Sequence, residues 1–190
     1  MTEGQRGGGP IIRRVGVRHL SLSLSLFSAA LLASFPAIAA TSAPIRLALF
    51  DFELEDFSAA ASSAVEAASD AEQLARVTDD VRQLFTKSGR YDLVDVGTAD
   101  VPAAKAHTLR ECDGCEAVIA QKIGADQSFV GVVKRISRTE YTVRFQIRDA
   151  RTGAVVSNAD SGLRMGADYS WSRGATRLIK DRLLEVQDQR

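Results

Sequence analysis

The side chains with the most reactive chemistry in this chain are its two cysteines, Cys112 and Cys115. A C-x-x-C pair can act as a redox dithiol when it begins a helix, because the positive helix N-terminus lowers the pKa of a thiol. A helix is predicted over residues 116–123, but the strand, long helix and cis-proline that accompany the motif in thioredoxins are missing. We therefore predict a structural disulfide, with a redox-active pair as the alternative.

Metal and cofactor sites have few candidate ligands. Zinc needs about four ligands, and His107 with the two cysteines supplies three. A c-type haem needs His directly after the C-x-x-C motif, where this chain has Glu116. Beyond residue 39 the sequence also lacks G-x-S-x-G, the dinucleotide-binding fingerprint and the P-loop. The sequence predicts a protein without metal, cofactor or catalytic residues.

Four carboxylates follow the first apolar segment of the chain: Asp51, Glu53, Glu55 and Asp56. Ligands of open α/β sheets bind near the carboxyl ends of strands, and carboxylates there can hold Ca²⁺ or Mg²⁺. The favoured interpretation is a solvated strand exit, with a small-ligand or cation site as the alternative. Because Asp51 lies between two phenylalanines, we expect it to be drawn towards the core and to accept backbone N–H groups.

Two pairs of residues are candidates for a docking surface. Arg144 and Arg148 lie on the polar face of an alternating segment; the favoured interpretation is a solvated face, and the alternative is a surface that meets an acidic partner. Tyr169 and Trp171 begin the last predicted helix, and aromatic residues commonly anchor interfaces. Trp171 also has helical spacing to Leu178, which favours a place in the core.

The elements that must position these residues follow from hydrophobic periodicity. Residues 57–69 are rich in Ala and Ser and predict a loop or weak helix, and Asp70 is the predicted N-cap of the first helix. The element order is β-α-β-α-β-β-β-α. It predicts one mixed β-sheet of about five strands packed by helices, in the α/β (mixed α+β) class. The predicted strands cover residues 45–52, 91–95, 127–133, 140–149 and 154–163; the helices cover 70–88 and 116–123 and begin again near 169.

The N-terminus has the pattern of a cleavable signal peptide. Basic residues precede an apolar run that is too short to span a bilayer, and Ala37-Ile38-Ala39 resembles a cleavage site. Cleavage after Ala39 leaves 151 residues, with residues 40–44 as a linker and 45–187 as one domain. Its net charge of −3 argues against nucleic acid and anionic lipid as partners. We expect a periplasmic protein without stable membrane insertion.

Several short motifs together resemble a known family. They are Phe50-Asp51-Phe52, Ser88-Gly89-Arg90-Tyr91, Cys112-x-x-Cys115 before a helix that ends at residues 123–126, and the hairpin of residues 148–153. This order resembles an uncharacterised family of exported proteobacterial proteins, a domain of unknown function. More distantly it is similar to the TolB N-terminal domain and to CsgG-like envelope domains. The chain has neither the propeller of TolB nor the lipidated cysteine of CsgG.

The resemblance implies a fold and a compartment rather than a chemistry, because TolB-like and CsgG-like domains are assembly and docking modules without catalytic residues. The sequence therefore predicts a secreted, non-enzymatic module that binds a protein partner in the cell envelope. The oligomeric state is left open. The two alternatives are a thiol-redox accessory protein that uses Cys112 and Cys115, and a ligand or cation binder at the acidic strand end.

Overall fold

Strands form where apolar residues run continuously or alternate, and helices form where they recur every three to four residues. The computed structural model describes residues 43–58, 63–98, 108–137, 140–163 and 170–185. The strands are β1 (Ile45–Leu49), β2 (Glu53–Asp56), β3 (Tyr91–Val94), β4 (Gln127–Ser137), β5 (Glu140–Asp149) and β6 (Val155–Leu163). The helices are α1 (Ala64–Ser88), α2 (Cys115–Lys122) and α3 (Ser170–Ile179), which continues as a π-helical turn over Lys180–Leu184.

One mixed sheet organises the fold, and its strand order is β3-β1-β4-β5-β6. β1 runs parallel to both β3 and β4, and β4, β5 and β6 form an antiparallel meander. The mixed α+β class predicted from the sequence is confirmed. The sheet has six strands because the predicted strand over residues 45–52 ends at Leu49, and β2 then pairs in parallel with the later half of β4.

The sheet has two unequal apolar layers. On one face α1 and α3 cover a core that includes Phe85, Phe129 and Trp171, and the Phe85 ring meets the Phe129 ring edge-on at 5.3 Å. On the other face α2 covers a smaller cluster around Ala48, Phe50 and Ile119. α2 has only eight residues, so the half of this second face formed by β5 and β6 is left partly open.

Helix α1 begins earlier than predicted. Its N-cap is Ser63, whose side chain accepts the Glu66 N–H while the Glu66 carboxylate accepts the Ser63 N–H, and Asp70 lies inside the helix. Alanine has the highest helix propensity, and this capping box satisfies the free N–H groups of the first turn, so the Ala/Ser-rich segment is helical from residue 64. The predicted end is confirmed: Gly89 adopts a φ of 67° as the C-cap.

No helix in the described part of the chain is long and apolar enough to cross a membrane. The segments predicted as signal peptide (residues 1–39) and most of the linker (residues 40–42) lie outside the described residues, as do His107 and Tyr169.

Candidate functional site

A groove of about 420 Å³ lies on the face of the sheet that α2 covers only in part. Its floor comes from β4, β5 and β6, and its wall from the loop that enters α2. This geometry brings Cys112 together with Arg144 and Arg148, three residues that the sequence assigned to two separate sites. The other residues that bear on its chemistry are Arg110, Glu116, Gln146, Asn158 and Asp160.

The cysteine pair lies at the groove wall, where Cys112 is one of the lining residues. Cys112 and Cys115 lie at disulfide distance, with their Cα atoms 5.6 Å apart, and Cys115 is the first residue of α2. Gly114 between them has a φ of 98°, a conformation that favours glycine and allows the tight turn. The Cys112 Sγ lies 3.8 Å from the Glu116 Oε2. The sulfur pair therefore fixes the loop at the start of α2 next to a buried carboxylate.

Arg148 is a structural clamp rather than a solvated residue. Its side chain is only 17% exposed, and its Nε lies 2.9 Å from Oε1 of Glu116, which is itself 5% exposed. Its Nη2 contacts Asp113 Oδ1 at 2.6 Å, and its Nη1 donates to the Gly153 carbonyl oxygen at 2.9 Å. The predicted solvated face is therefore wrong at this position, because α2 and its preceding loop lie over the end of β5, next to the turn that leads to β6.

Arg144 has the character expected of a binding residue. Its side chain is 44% exposed, and its only ion pair among the described residues is a loose one, in which its Nη2 lies 3.7 Å from Glu55 Oε2. Its Nε is buried and has no hydrogen-bond partner within the described residues. A buried donor without an acceptor costs free energy. The exposed part of the side chain is what an acceptor entering the groove beside β5 can reach.

Glu53 holds the groove wall in place. Its carboxylate accepts the backbone N–H groups of Leu109 and Arg110 at 2.7 and 3.2 Å, and the Arg110 guanidinium lies 3.1 Å away. The Glu53 side chain is 17% exposed. The run of carboxylates after the first strand predicted this residue to be part of a solvated strand exit. The E-L-E-D alternation places Glu53 and Glu55 on one face of a short strand, but it does not indicate that Glu53 accepts backbone N–H groups from a distant loop.

The four carboxylates of the predicted ligand or cation site do not converge. Asp51 is exposed and pairs with Arg82 at 2.8 Å, so the expectation that it enters the core is wrong. The buried polar contact at this break in the strand is instead the Phe52 N–H, which donates to Thr78 Oγ1 at 2.9 Å. Glu55 lies 3.8 Å from the Lys134 Nζ, and Asp56 points to the opposite face of the sheet.

Asp56 belongs to a half-buried ionic cluster with Arg135 and Asp70. The Arg135 guanidinium contacts Asp56 at 2.9 Å and Asp70 at 2.5 Å. Burial alone would lower the pKa of Arg135, but its hydrogen bonds to Asp70, Tyr141 and Asp56 and the charge of Asp70 raise the pKa above its ordinary value. Burial on its own would raise the pKa of Asp56. The hydrogen bonds from Ser58 and the Arg135 guanidinium outweigh burial, so the pKa of Asp56 lies below its ordinary value. The cluster joins β2, β4 and α1.

Trp171 is excluded from any docking surface of the folded domain. Its side chain projects from α3 and is fully buried in the core, and its ring lies 5.4 Å from that of Tyr141. The core interpretation of its helical spacing is confirmed, and the docking interpretation is wrong. The reason is that α3 packs against the sheet with the face that carries Trp171 and Leu178, as their helical spacing indicates.

One group of potential metal ligands occurs among the described residues: Cys112, Cys115 and Glu116, whose ligand atoms lie within 4.8 Å of one another. Two thiolates and a carboxylate suit a zinc-like ion. With the sulfurs at disulfide distance they are not available as thiolates, and Glu116 is already paired with Arg148. The arrangement suits a disulfide better than a metal.

A mixed sheet with helices on both faces and a polar groove over its last strands defines a small α+β domain. The chain belongs to the DUF3280 family, whose description is "Protein of unknown function (DUF2380)" and whose model matches residues 45–183. This match confirms the assignment to a family of unknown function. We found no match among curated proteins.

Solved structures that resemble the chain do so at low sequence identity. The C-terminal domain of LpoB from Salmonella enterica is 14% identical, with a TM-score of 0.47 over 67% of this chain and 87% of that one. The PelC dodecamer from Paraburkholderia phytofirmans is 20% identical, with a TM-score of 0.39 over 77% and 89%. TolB from Acinetobacter baumannii is 14% identical, with a TM-score of 0.36 over 66% and 24%.

Proposed function

We propose that this chain is an exported, non-enzymatic binding module whose groove docks a protein partner of the cell envelope. The observation that carries the proposal is Arg144, half-exposed in an open groove with a single loose ion pair among the described residues. The exported compartment rests on the basic and apolar N-terminal segment with its A-x-A site, in residues 1–39.

The polarity of the groove favours a peptide surface as its occupant. Arg144 donates only, Asp160 accepts only, and the amides of Gln146 and Asn158 do both. Such a mixture suits the alternating N–H and C=O groups of a protein main chain together with an acidic side chain placed at Arg144. Arginine is also enriched among the residues that dominate binding energy at protein interfaces.

Site-specific photo-cross-linking in intact cells tests the docking surface. A photoreactive residue replaces Glu111 on the groove wall, and a matched control replaces Glu72 on α1; the two side chains are 70% and 65% exposed and each pairs with a nearby arginine. We expect a discrete protein adduct from position 111 and none from position 72. Equal adducts from both positions, or none from position 111, would contradict the proposal.

Arg144→Ala tests the residue on which the proposal depends. We expect about a tenfold lower yield of the position 111 adduct with an unchanged melting temperature, because a half-exposed arginine contributes more to docking than to folding. Arg76→Ala, at an exposed pair on α1, is the matched control and should leave the adduct unchanged. The proposal fails if the two variants behave alike.

A thiol-redox accessory role is the second candidate, and one contact favours it. The half-buried Cys112 and Cys115 lie at the N-terminus of α2, and the Glu116 carboxylate next to the Cys112 Sγ could accept a thiol proton. Titration against glutathione mixtures measures the reduction potential of the pair. A potential far below that of glutathione identifies a structural disulfide and dismisses this role.

A further inference from the structure

We propose that β6 is a self-association edge, on which a second copy of this chain pairs antiparallel with its own β6 to form one continuous sheet. The strand lies at the end of the sheet order and pairs with β5 on one side. No strand within the described residues pairs with its other side. Its outward N–H and C=O groups therefore form a template for another strand.

The edge strands of this sheet differ in how well they are protected. β3 and β2 are each four residues long; β3 carries the exposed Asp92, and β2 has three acidic residues out of four. Short length and charge are the usual protection of an edge against pairing. β6 has nine residues and a single charge, Asp160, and its Val155 and Val156 are 46% and 51% exposed. It therefore lacks both forms of protection.

The sequence of β6 also complements itself. The pairing of β6 with β5 is irregular at Val156, and the regular part of the strand complements itself about a two-fold axis at Ala159: Ala159 meets its own counterpart, Asn158 meets Asp160, and Ser157 meets Ser161. No like charges face each other, whereas an axis at Asp160 would oppose two carboxylates. This register matches the surface to a second copy, and the assembly closes as a dimer because each β6 has one edge that no strand of the described residues pairs with.

Cysteine cross-linking tests both the dimer and its register. The full chain is expressed, and the protein is purified from the cell after any processing of its N-terminus. Under mild oxidation Ala159→Cys should give a covalent dimer. Ser157→Cys, at a half-buried position on the same face of β6, should not cross-link alone but should do so when mixed with Ser161→Cys. A monomer in every case would overturn the proposal, and cross-linking of Ser157→Cys alone would overturn the register.

Sedimentation equilibrium provides a measurement without added cysteines. We expect the unmodified protein to have twice the mass of one chain, and Asn158→Asp to weaken the dimer about tenfold by placing a carboxylate opposite Asp160 at two places. Asn158→Ser should keep the dimer. A monomeric mass for the unmodified protein up to its solubility limit would overturn the proposal, as would equal dimer affinity for the two variants.

Discussion

The ring of Phe52 occupies the space above Gly131 in which a side chain at that position would otherwise lie. Phe52 sits in the break between β1 and β2 with its side chain in the core, and Gly131 lies in the middle of β4. A glycine weakens the interior of a strand, and it is often found where another group approaches the backbone too closely for a side chain to fit. Here that space lets the chain step from β1 to β2 while it keeps an aromatic ring buried against the sheet.

Gly131→Ala should therefore be destabilising. A Cβ at this position would overlap three atoms of the Phe52 ring, and overpacking of this kind costs about 1–3 kcal/mol. Gly162→Ala in β6 is the matched control, because a Cβ there has no atom within 4 Å. Urea unfolding followed by circular dichroism measures both variants. Equal stability of the two variants would show that Phe52 moves aside without cost.

Arg135→Gln should lower the free energy of unfolding by about 3 kcal/mol, because it leaves the half-buried Asp56 and Asp70 without their shared partner. Arg76→Gln removes an exposed pair with Glu72 and should cost about 0.5 kcal/mol. Chemical denaturation at neutral pH compares the two variants. Similar losses would mean that the Arg135 cluster contributes no more than a surface pair.

Asp56 should make stability depend on pH. Its lowered pKa means that the folded state binds fewer protons than the unfolded state, so its stabilisation is fully present above the ordinary aspartate pKa of about 3.9. The stabilisation is lost as the pH falls through the lowered pKa of the folded state. Asp56→Asn should thus be less stable than the unmodified protein at pH 7. The difference in stability between the two proteins should shrink as the pH falls below about 4. Thermal unfolding from neutral to acid pH measures this difference, and a difference that stays constant would contradict the prediction.

Trp171, the only tryptophan of the chain, should report the core directly. Because its side chain is fully buried, its fluorescence should be blue-shifted in the native protein and move to the red on unfolding. Trp171→Ala should cost about 4 kcal/mol, the usual loss for a large core aromatic residue. Phe57→Ala, at an aromatic residue that is 54% exposed, should cost less than about 1 kcal/mol. Native emission typical of solvent exposure would contradict the placement of α3.

Loss of the cysteine pair should destabilise the domain only modestly. Cys112 and Cys115 are three positions apart, and so short a loop gives an entropic stabilisation of roughly 2 kcal/mol or less. We expect the purified protein to show no free thiol before reduction, and the double serine variant to fold with a slightly lower melting temperature. Thiol titration after denaturation and calorimetry test the two parts. Complete unfolding of the double variant would mean that the pair holds more than its own loop.

Regular periodicity made much of the fold predictable. The alternation over residues 140–149 predicted β5 with the bounds found, and Tyr141, Val143, Phe145 and Ile147 are buried as expected. The prediction failed where a residue's role depends on a distant partner. Asp70 has the features of an N-cap, but Ser63 caps α1, and the Asp70 carboxylate pairs with Arg135, which is 65 positions away.

The candidate site was predicted in pieces. Cys112, Arg144 and Arg148 were each identified from local patterns, but not as neighbours, because their proximity depends on where α2 lies on the sheet. Glu53 was missed altogether as the anchor of the groove wall, since its acceptor role depends on backbone groups 56 and 57 positions later. Sequence spacing carries no information about such contacts.

The sequence by itself determined the local features: most strands and helices, the turn at Gly89, the mixed class of the sheet and the proximity of two cysteines close along the chain. These depend on side chains within a few positions of one another, so periodicity and turn chemistry are sufficient to find them. Only the tertiary structure decided that Arg148 is clamped while Arg144 is available, and that β6 is the long edge of the sheet. Both depend on which segments pack over a given strand, and that is settled by contacts between residues far apart in the chain.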